Sequence, residues 1–168
     1  MSQPDPALVE VNPAAAVAAL RLPGAEGAWR STAGGTQHLL IPTGAALEAL
    51  IPDLAAAECA AAAAGAMSLC PFRRVDDATL HVRVFVSGAG IVEDPGTGSA
   101  AGPIGMLARQ RWGTATEVSI RQGDEMGRPC RIDLRAEPLA CGIATCAQAG
   151  WTNGPISQFP GAFSSSLR

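Results

Sequence analysis

The stretch Ser99–Ala108 (SAAGPIGMLA) carries no charge and a single hydroxyl over its length. A helix that is small or apolar on every side has no face to offer to water, so it must be buried all round. With its flanks the run gives a helix over 99–111. Ala100, Ala101, Gly102, Gly105 and Ala108 let surrounding backbone come close. Pro103 is tolerated if it falls within about the first turn, where a helix does not use its N–H. Such a helix needs a wrapping layer, and the remaining chain offers strands to build one. The expected fold class is α+β: a curved mixed sheet around one buried central helix.

The surrounding elements follow from pattern and punctuation. Ala14–Leu20 reads as a short helix stopped by Pro23-Gly24. Trp29–Thr32 and Thr36–Ile41 read as strands, Ala45–Leu50 as one or two helical turns, and Leu54–Ala64 as a helix capped by Asp53 and ended by Gly65. Met67–Phe72 and Leu80–Val86 read as strands, the latter with His81, Arg83 and Phe85 opposite a buried face of Leu80, Val82, Val84 and Val86. Thr116–Gln122 and Cys130–Arg135 alternate around a turn, and a last strand is expected over Leu139–Thr145. Three segments result: a lead-in over 1–20, a domain over 21–147 and a flexible tail over 148–168.

Composition closes several routes. All 12 basic residues are Arg, and there is neither Lys nor Tyr, so Schiff-base lysine, Walker-type lysine and tyrosine acid–base chemistry are excluded. A net charge of −3 leaves no basic excess for nucleic acid. With two His and no CxxC, no metal site is expected. The five Cys are read as reduced, mostly buried thiols of a cytoplasmic protein. Leu54–Met67 is too short, and too interrupted by Glu58, to cross a bilayer.

The chemistry concentrates in Glu93-Asp94-Pro95-Gly96-Thr97-Gly98-Ser99. The start of a buried helix presents N–H groups and a positive dipole end. Gly96 and Gly98 keep side chains out of an approaching anion's way, which makes a pocket for a small carboxylate. Asp94 is the candidate to hold an amine or move a proton. The alternative is that Asp94 and Ser99 only cap the helix. Glu93, pointing opposite to Asp94, is read as structural or solvated; Arg121 and Arg128 as surface groups; His38 and His81 as structural or exposed.

The phrase EDPGTGSAAGPIG (93–105) and IRQGDEMGRPCRIDL (120–134), supported by STAGGTQHLLIP (31–42) and LHVRVFVSGAGIVEDP (80–95), resemble the C-terminal half of the phenazine-biosynthesis PhzF-like isomerases. The resemblance implies a single half-domain of the diaminopimelate epimerase-like fold, in which two halves each wrap a sheet around a central helix and the substrate lies between them. It implies a cofactor-free proton shift or epimerisation on a small carboxylate-bearing substrate. Catalytic roles would fall to Asp94 and Ser99, and substrate binding to Gly96, Thr97, Gly98 and Ser99. The family's general-base glutamate, in an EET-like phrase, and its Gly-His phrase have no counterpart here. The resemblance therefore implies a partner, either a second copy or a complementary N-terminal half. Two readings stay open: a half of a biosynthetic isomerase, or a non-catalytic ligand-binding or assembly domain, including an inactive remnant.

Overall fold

The computed structural model describes residues 7–33, 35–88, 92–138 and 145–152. In chain order the elements are β1 (Ala7–Val11), α1 (Ala14–Leu20), β2 (Ala28–Ala33), β3 (Thr36–Pro42), α2 (Leu54–Ala63), β4 (Ser68–Arg74), β5 (Thr79–Val82), β6 (Phe85–Val86), α3 (Gly98–Trp112), β7 (Glu117–Gln122), a 3-10 turn (Asp124–Met126), β8 (Cys130–Pro138) and β9 (Thr145–Thr152). The strands form one sheet in the order β1-β2-β3-β4-β5-β7-β8-β9, with β6 also on β4. Two pairings are parallel, β3 with β4 and β5 with β7; the others are antiparallel. The parallel pairs require crossovers, and α2 and α3 supply them.

Each face of the sheet has its own core. The inner face wraps α3, which packs on β2, β3, β4, β8 and β9. Leu40, Cys70, Phe72, Leu80, Val82, Val118, Ile120, Ile132 and Leu134 meet Ala100, Ala101, Ile104, Leu107 and Ala108 there. On the outer face α1 and α2 lie over Leu39, Ile41, Leu69 and Phe85. The period of two decides this: Leu39 and Leu40, or Leu69 and Cys70, go to opposite cores because neighbouring side chains on a strand point apart. The enclosed helix is as the sequence requires, since α3 buries every residue from Ala100 to Leu107 except Met106, and then Ala108.

Five expectations change. Pro103 is the sixth residue of α3, in its second turn, so the Ser99 carbonyl lacks the helical donor it would otherwise have. Ala45–Leu50 is not a helix but a turn with one Leu50 N–H to Leu47 carbonyl bond of 3.1 Å. Leu80–Val86 is broken between β5 and β6. Arg83 stands opposite Pro71 of β4; its N–H reaches the Pro71 carbonyl (3.1 Å), but Pro71 has no N–H to return. Both faces of this segment are buried, including His81, Arg83 and Phe85. β9 carries residues 148–152, which the sequence assigned to a tail, while 139–144 and 153–168 lie outside the described residues. Cys70 is buried, Cys130 half-buried and Cys59 exposed, all three as free thiols; Cys59 departs from the expected burial. Among the described residues no helix is long and apolar enough to cross a membrane.

Candidate functional site

The loop ahead of α3 is shaped by its own polar groups. Backbone bonds from Asp94 N–H to the Val84 carbonyl (2.9 Å) and from Val86 N–H to the Val92 carbonyl (3.3 Å) lay residues 92–94 back along 84–86. This sends Glu93 to the outer face and Asp94 to the inner one. The Asp94 carboxylate accepts the Gly96 N–H on Oδ1 (3.1 Å) and the Thr97 hydroxyl on Oδ2 (2.8 Å). It bends the loop as an Asx turn does. Asp94 is therefore not the helix cap; Thr97 occupies the cap position and makes no side-chain cap bond.

Gln122, at the end of β7 and 1% exposed, clamps this loop from the far side. Its Nε2 donates to the Asp94 carbonyl (2.6 Å) and the Thr97 hydroxyl (3.0 Å), and its Oε1 accepts the Thr97 N–H (3.2 Å). Gly123 follows at φ +81°, where a Cβ would fall 2.3 Å from the Arg128 carbonyl and 2.9 Å from Pro95 Cβ, so only glycine lets this turn close against the loop.

Ser99, in the first turn of α3, faces the inner surface of the sheet. Its hydroxyl shares a 2.9 Å hydrogen bond with Nε2 of His38 from β3. His38 Nδ1 shares a 2.8 Å bond with the Ser68 hydroxyl of β4, and Ser68 lies 3.3 Å from the Cys70 thiol. The register explains the meeting: Ser31, His38 and Ser68 are paired neighbours across β2, β3 and β4 and share one face. Burial lowers the His38 pKa to about 4, against a smaller upward pull from Asp94. Burial pushes the Cys70 thiol up to about 12, and the Asp94 charge adds to it despite the Ser68 bond. At neutral pH both groups are thus uncharged.

The structure brings Asp94, Gly96, Thr97, Gly98 and Ser99 together at the mouth of α3. The Thr97 hydroxyl is engaged within the loop, between Asp94 and Gln122. Of the two readings of Glu93, structural or solvated, the structure gives the first: Arg83 grips both its oxygens at 2.8 Å and also donates to the Leu47 (3.0 Å) and Leu50 (2.7 Å) carbonyls. The Glu93 bonds raise the Arg83 pKa further, outweighing burial. His81 lies 2.9 Å from Glu125 on that same outer side. Arg121 pairs with Asp124 at 2.6 Å and Arg128 is exposed. Sequence reasoning missed His38 and Gln122 as parts of the site. The signal was there in TQHLLI, where His38 shares a strand face with Leu40, because a polar group on an inward face must find partners. Among the described residues no group of three or more His, Cys, Asp or Glu could hold a metal ion.

A family model for phenazine biosynthesis-like proteins (PhzC-PhzF) matches residues 2–152. The trans-2,3-dihydro-3-hydroxyanthranilate isomerase of Pseudomonas aeruginosa is 36% identical over 149 residues, which span 82% of this chain and 49% of that protein. An uncharacterized isomerase of Pasteurella multocida is 42% identical over 64 residues, 38% of this chain and 22% of that one. The crystal structure of a Bacillus anthracis phenazine biosynthesis protein of the PhzF family superposes with a TM-score of 0.71 at 20% identity, covering 90% of this chain and 57% of that chain. The fold is thus the mixed α+β fold of that PhzF-family structure, and the chain spans about half the length of the Pseudomonas aeruginosa isomerase. With the family model matched across nearly the whole described region, the chain belongs to the phenazine biosynthesis-like protein family.

Proposed function

We propose that this chain forms one wall of a PhzF-like isomerase site, where a cofactor-free proton shift or epimerisation occurs on a small carboxylate-bearing substrate. The positive dipole end of α3 draws the substrate carboxylate to the mouth lined by Gly96, Gly98 and Ser99. The Asp94 carboxylate, with one bond on each oxygen, keeps lone pairs to accept an N–H or O–H of the substrate and to assist proton transfer. The general base is a glutamate from a second copy or a complementary half, because the two half-buried glutamates nearby lie on the outer side, away from Asp94: Glu93 in the grip of Arg83, and Glu125 beside His81. The observation that carries the reading is the Asp94 carboxylate, held at the mouth of α3 without capping it.

The relative's name supplies the test substrate, trans-2,3-dihydro-3-hydroxyanthranilate. Deuterium uptake from solvent into this compound is followed with the assembly in which the chain is purified. Asp94→Asn keeps the side chain's shape and one acceptor oxygen for the Gly96 N–H, but turns the other oxygen into an amide donor and removes the charge. Its exchange rate is expected to fall by on the order of 10²-fold or more. Full exchange by Asp94→Asn would end the catalytic assignment. A second reading, a half that binds ligand without catalysis, is favoured by the placement of Glu93 and Glu125 on the outer side, away from Asp94. It predicts that anthranilate binds while no assembly of the chain exchanges deuterium.

A further inference from the structure

Ser99, His38, Ser68 and Cys70 form an unbroken line of polar groups running from the mouth of α3 into the inner core. The steps are 2.9, 2.8 and 3.3 Å. His38 and Ser68 are each 2% exposed and Cys70 is 0% exposed, so no stretch of this line beyond Ser99 is open to water. A neutral imidazole has one N–H and one bare nitrogen, which allows two patterns. In one, the Ser99 hydroxyl donates inward to Nε2, Nδ1–H donates to Ser68, and Ser68 donates to the thiol. The thiol hydrogen, fully buried, is then left over. In the other, Cys70 S–H donates to Ser68, Ser68 O–H donates to Nδ1, and Nε2–H donates to Ser99 Oγ. Every buried hydrogen then has an acceptor, and the only hydrogen left is that of the Ser99 hydroxyl, at the open end.

We propose that His38 is a positioning residue. Held by Ser68 as the Nε2–H tautomer, it donates to Ser99 Oγ and turns the Ser99 hydroxyl hydrogen outward, toward the carboxylate or carbonyl oxygen of the bound substrate. The proposal rests on the reading of the α3 mouth as the substrate site. No net proton travels the line, since a buried thiol that stays protonated at neutral pH neither accepts a proton nor gives one up. The line orients Ser99 and does not conduct. A fixed donor at the site is worth more than a rotating one because nothing has to reorganise when the ligand arrives.

The chain has only two histidines, His38 and His81, so ring-nitrogen NMR on the uniformly labelled protein separates them readily. At pH 7, His38 is expected neutral, with Nε2 protonated and Nδ1 bare. An Nδ1–H tautomer, or a doubly protonated ring, overturns the proposal without touching the site reading. Anthranilate is the probe for binding. His38→Gln places an amide N–H near the ε position and is expected to bind it within about twofold of the unsubstituted chain. His38→Leu, which has no donor, is expected to bind roughly tenfold more weakly, as for one lost hydrogen bond. Equal binding by His38→Leu and His38→Gln overturns the proposal. Unchanged binding by Ser99→Ala removes Ser99 from the ligand and overturns both the proposal and the site reading. Because the tautomer is measured on the unsubstituted chain, a variant that does not fold leaves the proposal still decidable.

Discussion

A neutral imidazole buried between two hydroxyls makes the fold sensitive to acid. His38 has a pKa near 4 in the folded chain, lowered mainly by burial, whereas an unfolded chain leaves it near its ordinary value of 6.5. Between these two values the unfolded state binds more protons, so stability rises with pH across the window and falls on acidification. The contribution is complete above pH 6.5 and is lost as the pH drops to about 4. Its size is roughly 2–4 kcal/mol, at about 1.4 kcal/mol per pKa unit. Glu48, whose pKa is lowered chiefly by a backbone hydrogen bond, loses its contribution in the same direction but only below its ordinary value of 4.5. Urea unfolding at pH 6.5 and 4.5 is expected to show a marked loss in the unsubstituted chain and a much smaller one in His38→Gln. Parallel losses in the two would mean that His38 is not held neutral. At this scale the local half of the site was legible in the sequence. Glycines, a carboxylate and a hydroxyl at a helix start announce an anion pocket from neighbouring residues alone. His38 and Gln122 were not legible, because what makes them part of the site is register: His38 beside Ser68 across β3 and β4, and Gln122 at the end of β7 beside the loop.

Helix α3 could be read from its residues because a helix with no polar face has a single solution, enclosure. The enclosure is close enough to test by volume. A Cβ built on Gly105 would lie 2.9 Å from Leu134 Cδ1 and 3.9 Å from Val118 Cγ2. The Leu134 methyl is the end of a flexible side chain, so Gly105→Ala needs only a small shift, and the gain in helix propensity of about 1 kcal/mol works in its favour. Gly105→Leu has no such room and is expected to cost about 1–3 kcal/mol, read as a lowered urea midpoint. A midpoint that is unchanged or raised for Gly105→Leu would show that the helix is not enclosed. The elements that escaped the sequence did so because of distant partners. Ala45–Leu50 has helix-forming residues, but the Leu47 and Leu50 carbonyls are taken by the buried Arg83 guanidinium, which fixes a turn instead. The strand Leu80–Val86 alternates well, yet breaks because the residue facing Arg83 on β4 is Pro71. The fault lies in the neighbouring strand, where a reading of one segment cannot see it.

For the whole molecule, the open question of scale is what covers the apolar residues left outside the two cores. Ile51 (73% exposed), three residues ahead of α2 in the chain, Leu54 (45%) and Val92 (54%) are exposed. Leu54 and Val92 line an open groove of about 370 Å³ together with Ala57, Phe85 and Val86. Val92 belongs to the segment that leads into the candidate site, so a partner seated here would border the segment that runs on to Asp94. If a second copy or a complementary half supplies the missing base, this face is where contact is expected, and obligate interfaces bury about 2,000 Å² or more. Sedimentation at tens of micromolar is expected to find an assembly rather than a single chain. Leu54 is the first residue of α2, so Leu54→Glu places an acid in a helix's first turn, where the dipole favours it. The substitution therefore removes apolar surface without weakening α2, and helical content measured by circular dichroism should not change. With Ile51→Glu alongside, the assembly is expected to dissociate, and deuterium exchange at the Asp94 site to be lost with it. A single chain at these concentrations would rule out self-association as the source of the base. An assembly that survives both substitutions would place the interface on another face.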